Sequence, residues 1–396
     1  MRALALLTLA VVLSQFFRST IAVLAPHMTA ELGAAPAELG RLAAAWFYAF
    51  ALAQLPVGVA LDRFGPRRCA AAGLALTAGG AALFGAAPDL TAAYAALAVL
   101  GLGCSPLYMA TVVVLAREFP RARFAALNGT VVALSNAGLI LSATPLAALD
   151  LWLGWRGALW AAAGVTALLA IAMAYAARGE SRGTPESLGR AIAGVAAVVR
   201  HRPLWALLPF SFVCSGVILA VRGVWAGPYL DHVHALGPIE RGHVLGGMVL
   251  ALACGNLLFG WLSTRLGSPK PFVAGLACLG VAATGGLAWF PAMAMELAIL
   301  CLLAIGFYGA AYALVIAHGR AFFPPGKEGR GATFLNFVNF LGTAVWQTAT
   351  GAALGHAMDA GASVPGSYAW VFAVLATALA ASTLHYLTST DPRRAS

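Results

Sequence analysis

Apolar segments of 18 or more residues recur along the whole chain, and no other feature limits its folding as much. A helix rises ~1.5 Å per residue, so roughly 20 apolar residues cross the ~30 Å hydrocarbon layer of a bilayer. Spans are predicted near 4–27, 39–61, 69–87, 91–116, 124–148, 155–177, 203–230, 243–266, 270–289, 294–320, 330–358 and 366–388. Hydrocarbon offers backbone N–H and C=O groups no partner, so each span must be helical. The expected fold class is all-α integral membrane, with twelve transmembrane helices. Composition agrees: 10% of the residues are charged and 61% hydrophobic, against about 25% charged in soluble domains. Arg2 to Leu13 has the basic residue and apolar run of a signal peptide. The apolar character continues through Ile21 to Ala25, however, and the stretch reads as an uncleaved first helix.

A formal charge of +10 raises the question of nucleic acid. The positions of the basic residues answer it. Of 24 Lys and Arg, 19 fall at alternate span ends, on the side of the N-terminus, among them Arg63, Arg67, Arg68, Arg117, Arg121, Arg123, Arg265 and Lys270. Only Arg41, Arg156 and Arg241 fall near the opposite ends, and Arg18 and Arg222 lie inside spans. The positive-inside rule then puts both termini in the cytoplasm. The charge describes topology, and no nucleic-acid partner is expected. The six cysteines are scattered through apolar segments without C-x-x-C spacing, which fits small buried hydrophobes better than a metal or redox site.

The chain also repeats itself. A shift of 202 positions matches Pro26 with Pro228, Glu38 with Glu240, Gly40 with Gly242, Gly58 with Gly260, Arg63 with Arg265 and Gly65 with Gly267. After small insertions, Phe119-Pro120 matches Phe323-Pro324, and Leu127-Asn128 matches Leu335-Asn336. The longest polar stretch lies between the halves. The expected domains are a six-helix bundle over 1–177, a cytoplasmic linker over 178–202 and a second six-helix bundle over 203–396, related by pseudo-two-fold symmetry.

Between spans 2 and 3 the chain reads Gly58-Val-Ala-Leu-Asp62-Arg63-Phe-Gly65-Pro-Arg67-Arg68, and a degraded copy, Gly260-Trp-Leu-Ser-Thr264-Arg265-Leu-Gly267-Ser-Pro-Lys270, follows span 8. This motif, the twelve spans and the repeat resemble the major facilitator superfamily of bacterial transporters over nearly the full chain. The resemblance implies that Gly58, Asp62, Arg63, Gly65, Arg67, Arg68, Arg265 and Gly267 take part in gating. Physically, Gly58 would let helices approach closely and Gly65 would permit a tight turn. Asp62 and the arginines would form contacts that break when the cytoplasmic face opens. Loss of the acid at Thr264 makes the second-half latch the weaker one. An arginine frequent in helix 4 of the family's proton-coupled exporters would fall near Ala96 or Leu97, and none is there.

Polar side chains inside spans mark the solute path, because a charge deep in a membrane costs ~2.5–3.5 kcal/mol unless it is paired or faces water. Spans 3, 6, 9 and 12 are nearly free of them in their middles, as lipid-facing supports would be. Arg18 lies eight residues before Pro26 and Arg222 six before Pro228, similar depths in matched spans, with no mid-span acid to balance either. Helices 1 and 7 line the central cavity in the family, and its organophosphate/phosphate antiporters resemble this chain in carrying an arginine on each. The expectation is an organic anion bridging two guanidinium forks. The alternative for both arginines is snorkelling to the nearby interface. Gln15, Tyr108, Ser215, Tyr308, Tyr312, Asn336, Asn339 and Gln347 complete the expected substrate-binding set, with the stripe Asn336, Asn339, Thr343, Gln347 and Thr350 as its strongest element. Asn128, Ser135 and Ser142 read mainly as packing.

The predicted function is secondary transport of a small, anionic solute by alternating access. No cofactor, catalytic residue or metal is called for. The partners are the substrate and the lipid bilayer, the expected state a monomer and the expected place the bacterial inner membrane. Without a mid-membrane carboxylate, coupling could be anion exchange, uniport or titration of a histidine; His318 lies toward the cytoplasmic end of its span, and His27, His232, His234, His243 and His356 lie toward the other face. A neutral or aromatic solute is the alternative, given Trp225, Tyr312, Phe334, Phe337 and Trp346. A copper importer using His243 and Met248 is weaker, since five residues apart places them on different helix faces. A membrane enzyme is weakest, lacking any nucleophile, base and acid set.

Overall fold

A computed structural model describes residues 2–178, 180, 202–266, 268–320, 322 and 328–389. The expected linker, apart from Arg178, Glu180 and Arg202, and Gly267 lie outside this set. Among the described residues every regular element is helical. In chain order they are α1 (Arg2–Phe17), α2 (Thr20–Leu32), α3 (Pro36–Phe64), α4 (Pro66–Gly85), α5 (Leu90–Glu118), α6 (Arg121–Leu141), α7 (Thr144–Ala176) and a 3₁₀ turn (Arg202–Ala206). There follow α8 (Leu208–Ala220), a π-helical turn (Val221–Trp225), α9 (Ala226–His234), α10 (Pro238–Leu266), α11 (Lys270–Trp289), α12 (Met295–Tyr308), α13 (Ala311–Arg320), α14 (Glu328–Asp359) and α15 (Val364–Leu387).

Among the described residues eight helices are individually long and apolar enough to cross a membrane, and two bent pairs raise that to ten. The longest stretch, Leu127–Ala176, has 50 residues and runs from α6 through α7; Gly154 at φ 70° divides it into two limbs of spanning length. α14 has 32 residues, ample for a crossing, but its polar stripe lowers its hydropathy. The twelve expected spans are thereby accommodated. Trp152, Leu257 and Leu168 are at least 70% exposed, an arrangement costly in water and favourable against lipid tails.

Contacts divide the chain into two compact units, Met1–Gly33 with Ala45–Ile192, and Ala34–Ala44 with Ala193–Ser396. Each unit is built by the same contacts. In the first, α1 packs on α6 and α4 on α7; in the second, α8 packs on α14 and α11 on α15. Glycine sets the first of these in both. A methyl group at Gly138 of α6 would overlap the Val12 carbonyl of α1, and one at Gly342 of α14 would overlap the Phe212 carbonyl of α8. Without a hydrophobic force between helices in lipid, such close backbone approach supplies the dispersion that holds them together. The first turns of α3 rest on α14 within the second unit, where a methyl at Gly40 would overlap the Gln347 carbonyl.

The repeat is visible even in helix ends. Pro36 and Pro238 open α3 and α10, and three residues before each glutamate a backbone N–H is left over. Glu38 Oε2 accepts from the Ala35 N–H at 2.7 Å, and Glu240 Oε2 accepts from the Gly237 N–H at 2.7 Å. Each carboxylate satisfies an orphan donor and sits at the positive end of its own helix. The matched glutamates are therefore caps.

Candidate functional site: two arginines at helix breaks and a capped loop

Both predicted arginines lie where a helix departs from α geometry. Arg18 occupies the interruption between α1 and α2, whose axes bend by 42°. There the Ser19 N–H bonds the Phe16 carbonyl at 3.1 Å, a tighter turn than the α pattern. Pro26, inside α2, removes a further helical donor. The Arg18 guanidinium carbon stands 5.6 Å from the Trp46 ring centroid and 5.9 Å from that of Phe50. Those two rings are stacked, 4.9 Å apart and 13° from parallel, and present their negative faces to the cation. Ser19 Oγ is buried and has no hydrogen-bond partner among the described residues.

Arg222 lies in the π-turn and is 3% exposed. A π-turn fits one extra residue into the helix and leaves carbonyls out of the normal ladder. The Leu219 carbonyl, next to this turn, receives Gln347 Nε2 of α14 at 3.2 Å. At its other end the Trp225 indole N–H donates to Thr350 Oγ1 at 2.8 Å. Two members of the α14 stripe thus brace the widened turn that carries Arg222. Gly216 of α8 leaves space for the Trp346 ring, which a methyl group would strike. On these two packed helices Ser211 Oγ, both amide atoms of Asn339, Trp346 Nε1 and Gln347 Oε1 are buried with no hydrogen-bond partner among the described residues. Buried polar atoms cost about 1–3 kcal/mol each when left unsatisfied, a cost that a polar guest beside α8 and α14 would offset.

The tyrosines divide into two kinds. Tyr108 of α5 is 39% exposed and donates to Asn128 Oδ1 of α6 at 3.3 Å. Tyr312 of α13 donates in the same way to Asn336 Oδ1 of α14. Each half therefore holds one Tyr–Asn pair at matching positions, with amide N–H groups left to serve another acceptor. Asn128 had read as packing; its match to Asn336 and the match of Tyr108 to Tyr312 were the available signal. Tyr308 differs: it is fully buried, and its hydroxyl donates to the Cys214 carbonyl at 3.0 Å. Ser215 is buried on α8 and Gln15 is half-buried on α1. Among the described residues no three His, Cys, Asp or Glu side chains are grouped as metal ligands.

The loop motif forms a compact polar structure in the first unit. Gly65, at φ 90°, turns the chain from α3 into α4, a conformation that favours glycine. Pro66 begins α4 without an N–H. The next two donors, Arg67 N–H and Arg68 N–H, go to Glu180 Oε1 and Oε2, each at 3.1 Å. The Cys69 N–H reaches the Gly65 carbonyl at 3.1 Å, so every first-turn donor of α4 is accounted for. Arg67 pairs with Glu118 at 2.5 Å and Arg117 reaches Asp62 at 3.6 Å. Arg63 lies 5.3 Å from the Phe64 ring and exposed Arg265 lies 4.2 Å from Trp261. A Cβ at Gly58 would meet no atom within 4 Å, so close helix approach is not what this glycine provides here. Glu180 was the residue missed, because nothing in its local sequence marks it as a cap for a helix more than a hundred positions earlier.

Comparison with known proteins agrees with this architecture. Over 155 residues the chain is 32% identical to the probable L-galactonate transporter of Escherichia coli (strain K12), an alignment covering 39% of this chain and 34% of that protein. Over 242 residues it is 29% identical to monocarboxylate transporter 13 of Bos taurus, covering 58% and 53% respectively. The alignments thus span about a third and about half of these relatives. Solved structures match over almost their entire length: a bacterial homolog of the human lysosomal transporter Spinster (TM-score 0.76, 16% identity, 98% of this chain and 96% of that one) and the nucleoside transporter NupG (0.74, 12%, 97% and 99%). A peptide transporter, POT, in complex with alafosfalin, is similar at 0.77 and 15%, with 97% and 93% covered. At these identities the structures speak for the fold alone. The Major Facilitator Superfamily model matches residues 7–347, and with that match over a fold of two like helical units, the chain belongs to the Major Facilitator Superfamily.

Proposed function

We propose that this protein is a secondary transporter that moves a small organic anion across the membrane by alternating access, with Arg18 and Arg222 each offering a guanidinium to the anionic group. The observation that carries this reading is the pair of arginines set at helix breaks. Arg222 in particular is 3% exposed, on a turn braced by Gln347 and Trp225 and near buried polar groups that lack partners on α8 and α14. A guanidinium stays charged at any accessible pH and presents donors in a fork that matches a carboxylate. The Tyr–Asn pairs add neutral donors suited to hydroxyl or carboxylate oxygens. Two relatives named for galactonate and monocarboxylate transport, both organic anions, support the same class. We further assign the protein to the bacterial inner membrane, as a monomer with both termini cytoplasmic.

The test is a thermal-stability screen of the purified protein against L-galactonate, short monocarboxylates, organophosphates, neutral aromatic solutes and metal ions, repeated on Arg18→Ala and Arg222→Ala. An anion should raise the melting temperature of the wild type, and either substitution should weaken that anion's binding by ~10–150-fold, the equivalent of one lost charged hydrogen bond. Stabilisation by an anion that persists unchanged in both variants would sink the arginine assignment. Stabilisation only by a neutral solute would favour the aromatic alternative.

A further inference from the structure

In the first unit, at the end remote from the Asp62 loop, α2 is tied to α7 by a cluster that the anion reading does not use. His27 Nδ1 lies 2.8 Å from Asp150 Oδ2, with side-chain exposures of 48% for the histidine and 2% for the aspartate. One turn further along α2, Glu31 accepts from the Trp155 indole at 2.6 Å and from Arg156 Nε at 2.8 Å. Arg156 also donates to the carbonyl of Gly85, the last residue of α4, at 3.0 Å and to that of Ala87, just past it, at 2.8 Å. Gly154, at φ 70°, bends α7 between Asp150 and these two residues.

We propose that His27 and Asp150 form a proton-binding site, loaded through the half-exposed imidazole, and that its occupancy controls how firmly α2 is held against α7. A carboxylate as buried as Asp150 loses most of its hydration, and only a close cation or donor offsets that cost. With a proton on each ring nitrogen, His27 is that cation and the pair is neutral. With one proton lost, the imidazole offers a hydrogen bond but no charge, and its attraction for the Asp150 carboxylate weakens. Binding a proton therefore strengthens the tie. Glu31 and Arg156 are the other charged groups facing the pair from α2 and α7, and they are joined to each other. The other described charges on elements packed against α7 stand at other positions: Arg67 and Arg68 at the far end of α4 and Arg123 at the start of α6, while Arg18 stands at the opposite end of α2 from Glu31. α2 begins two residues after Arg18, so whatever fixes α2 against α7 also fixes the far arm of the bend that carries this arginine. The structure thus gives the transporter a route for proton coupling without a mid-membrane acid, whatever its solute.

The experiment uses the purified full chain and the proton itself. Proton uptake is counted with an indicator dye between about pH 8 and pH 6, inside the range in which imidazoles as a class change charge, and amide exchange of the Thr20–Leu32 segment is followed by mass spectrometry over the same interval. Asp150→Asn, which removes no histidine, should take up measurably fewer protons than wild type, and His27→Gln fewer still. After correction for the chemistry of exchange, α2 should be more protected at the lower pH in wild type and indifferent to pH in His27→Gln. Unchanged uptake in folded Asp150→Asn overturns the site. If that variant does not fold, a pH response of α2 that survives in His27→Gln overturns it instead.

Discussion

Replacing Glu180 by alanine should loosen the first turn of α4 by an amount the hydrogen bonds define. The side chain accepts two backbone donors, Arg67 N–H and Arg68 N–H at 3.1 Å each, at a terminus whose cap residue, Gly65, has no side chain and whose first residue, Pro66, has no N–H. Loss of a helix cap costs about 0.5–2 kcal/mol, and loss of a carboxylate at the positive end of the dipole a further 0.3–1 kcal/mol or so. Taking roughly 1–2 kcal/mol as the total, the equilibrium constant for local opening rises about 5–30-fold. Amide exchange resolved to Arg67, Arg68 and Cys69 is the direct assay. Glu180→Ala should speed exchange at the two arginine amides by about that factor, while the middle of α4 stays protected. Glu180→Gln keeps an acceptor but no charge and should fall between. If exchange at Arg67 and Arg68 is the same in wild type and Glu180→Ala, Glu180 does not cap this helix, and the loop is held by the Arg67–Glu118 and Arg117–Asp62 pairs alone.

Two further outcomes follow from packing. Gly342→Val should destabilise the second unit by at least ~1–3 kcal/mol, since the added side chain meets a backbone carbonyl that cannot rotate away, and Gly138→Val should do the same to the first; equal melting temperatures for wild type and both variants would refute the glycine contacts. Tyr308→Phe should cost about 0.5–1.5 kcal/mol of stability yet leave the affinity for any anion found in the screen unchanged, because its hydroxyl is already given to the Cys214 carbonyl; a loss of affinity would return Tyr308 to the binding set.

Much of this architecture was legible in the sequence because a bilayer simplifies the physics. Apolar length fixes the helices, and the register of 202 carries a real equivalence: Glu38 and Glu240 cap α3 and α10 at the same position. Arg18 and Arg222 stood out because a charge among apolar neighbours is costly wherever the helices go. Periodicity could not tell that Arg222 sits on a π-turn, since an extra residue in a helix leaves no mark on composition. Nor could it separate Tyr308 from Tyr312, four residues apart on one span, of which the first bonds a neighbouring helix and the second an asparagine of the polar stripe.

What the sequence determined alone is therefore the solvent, the helices and the repeat, all of which depend on the order of residues along one segment. Only the tertiary structure decided the pairings: Glu180 with the start of α4, His27 with Asp150, Gln347 with the Leu219 carbonyl. Each joins groups separated by more than a hundred residues, and a hydrogen bond depends on angles and tenths of an ångström that no local pattern encodes.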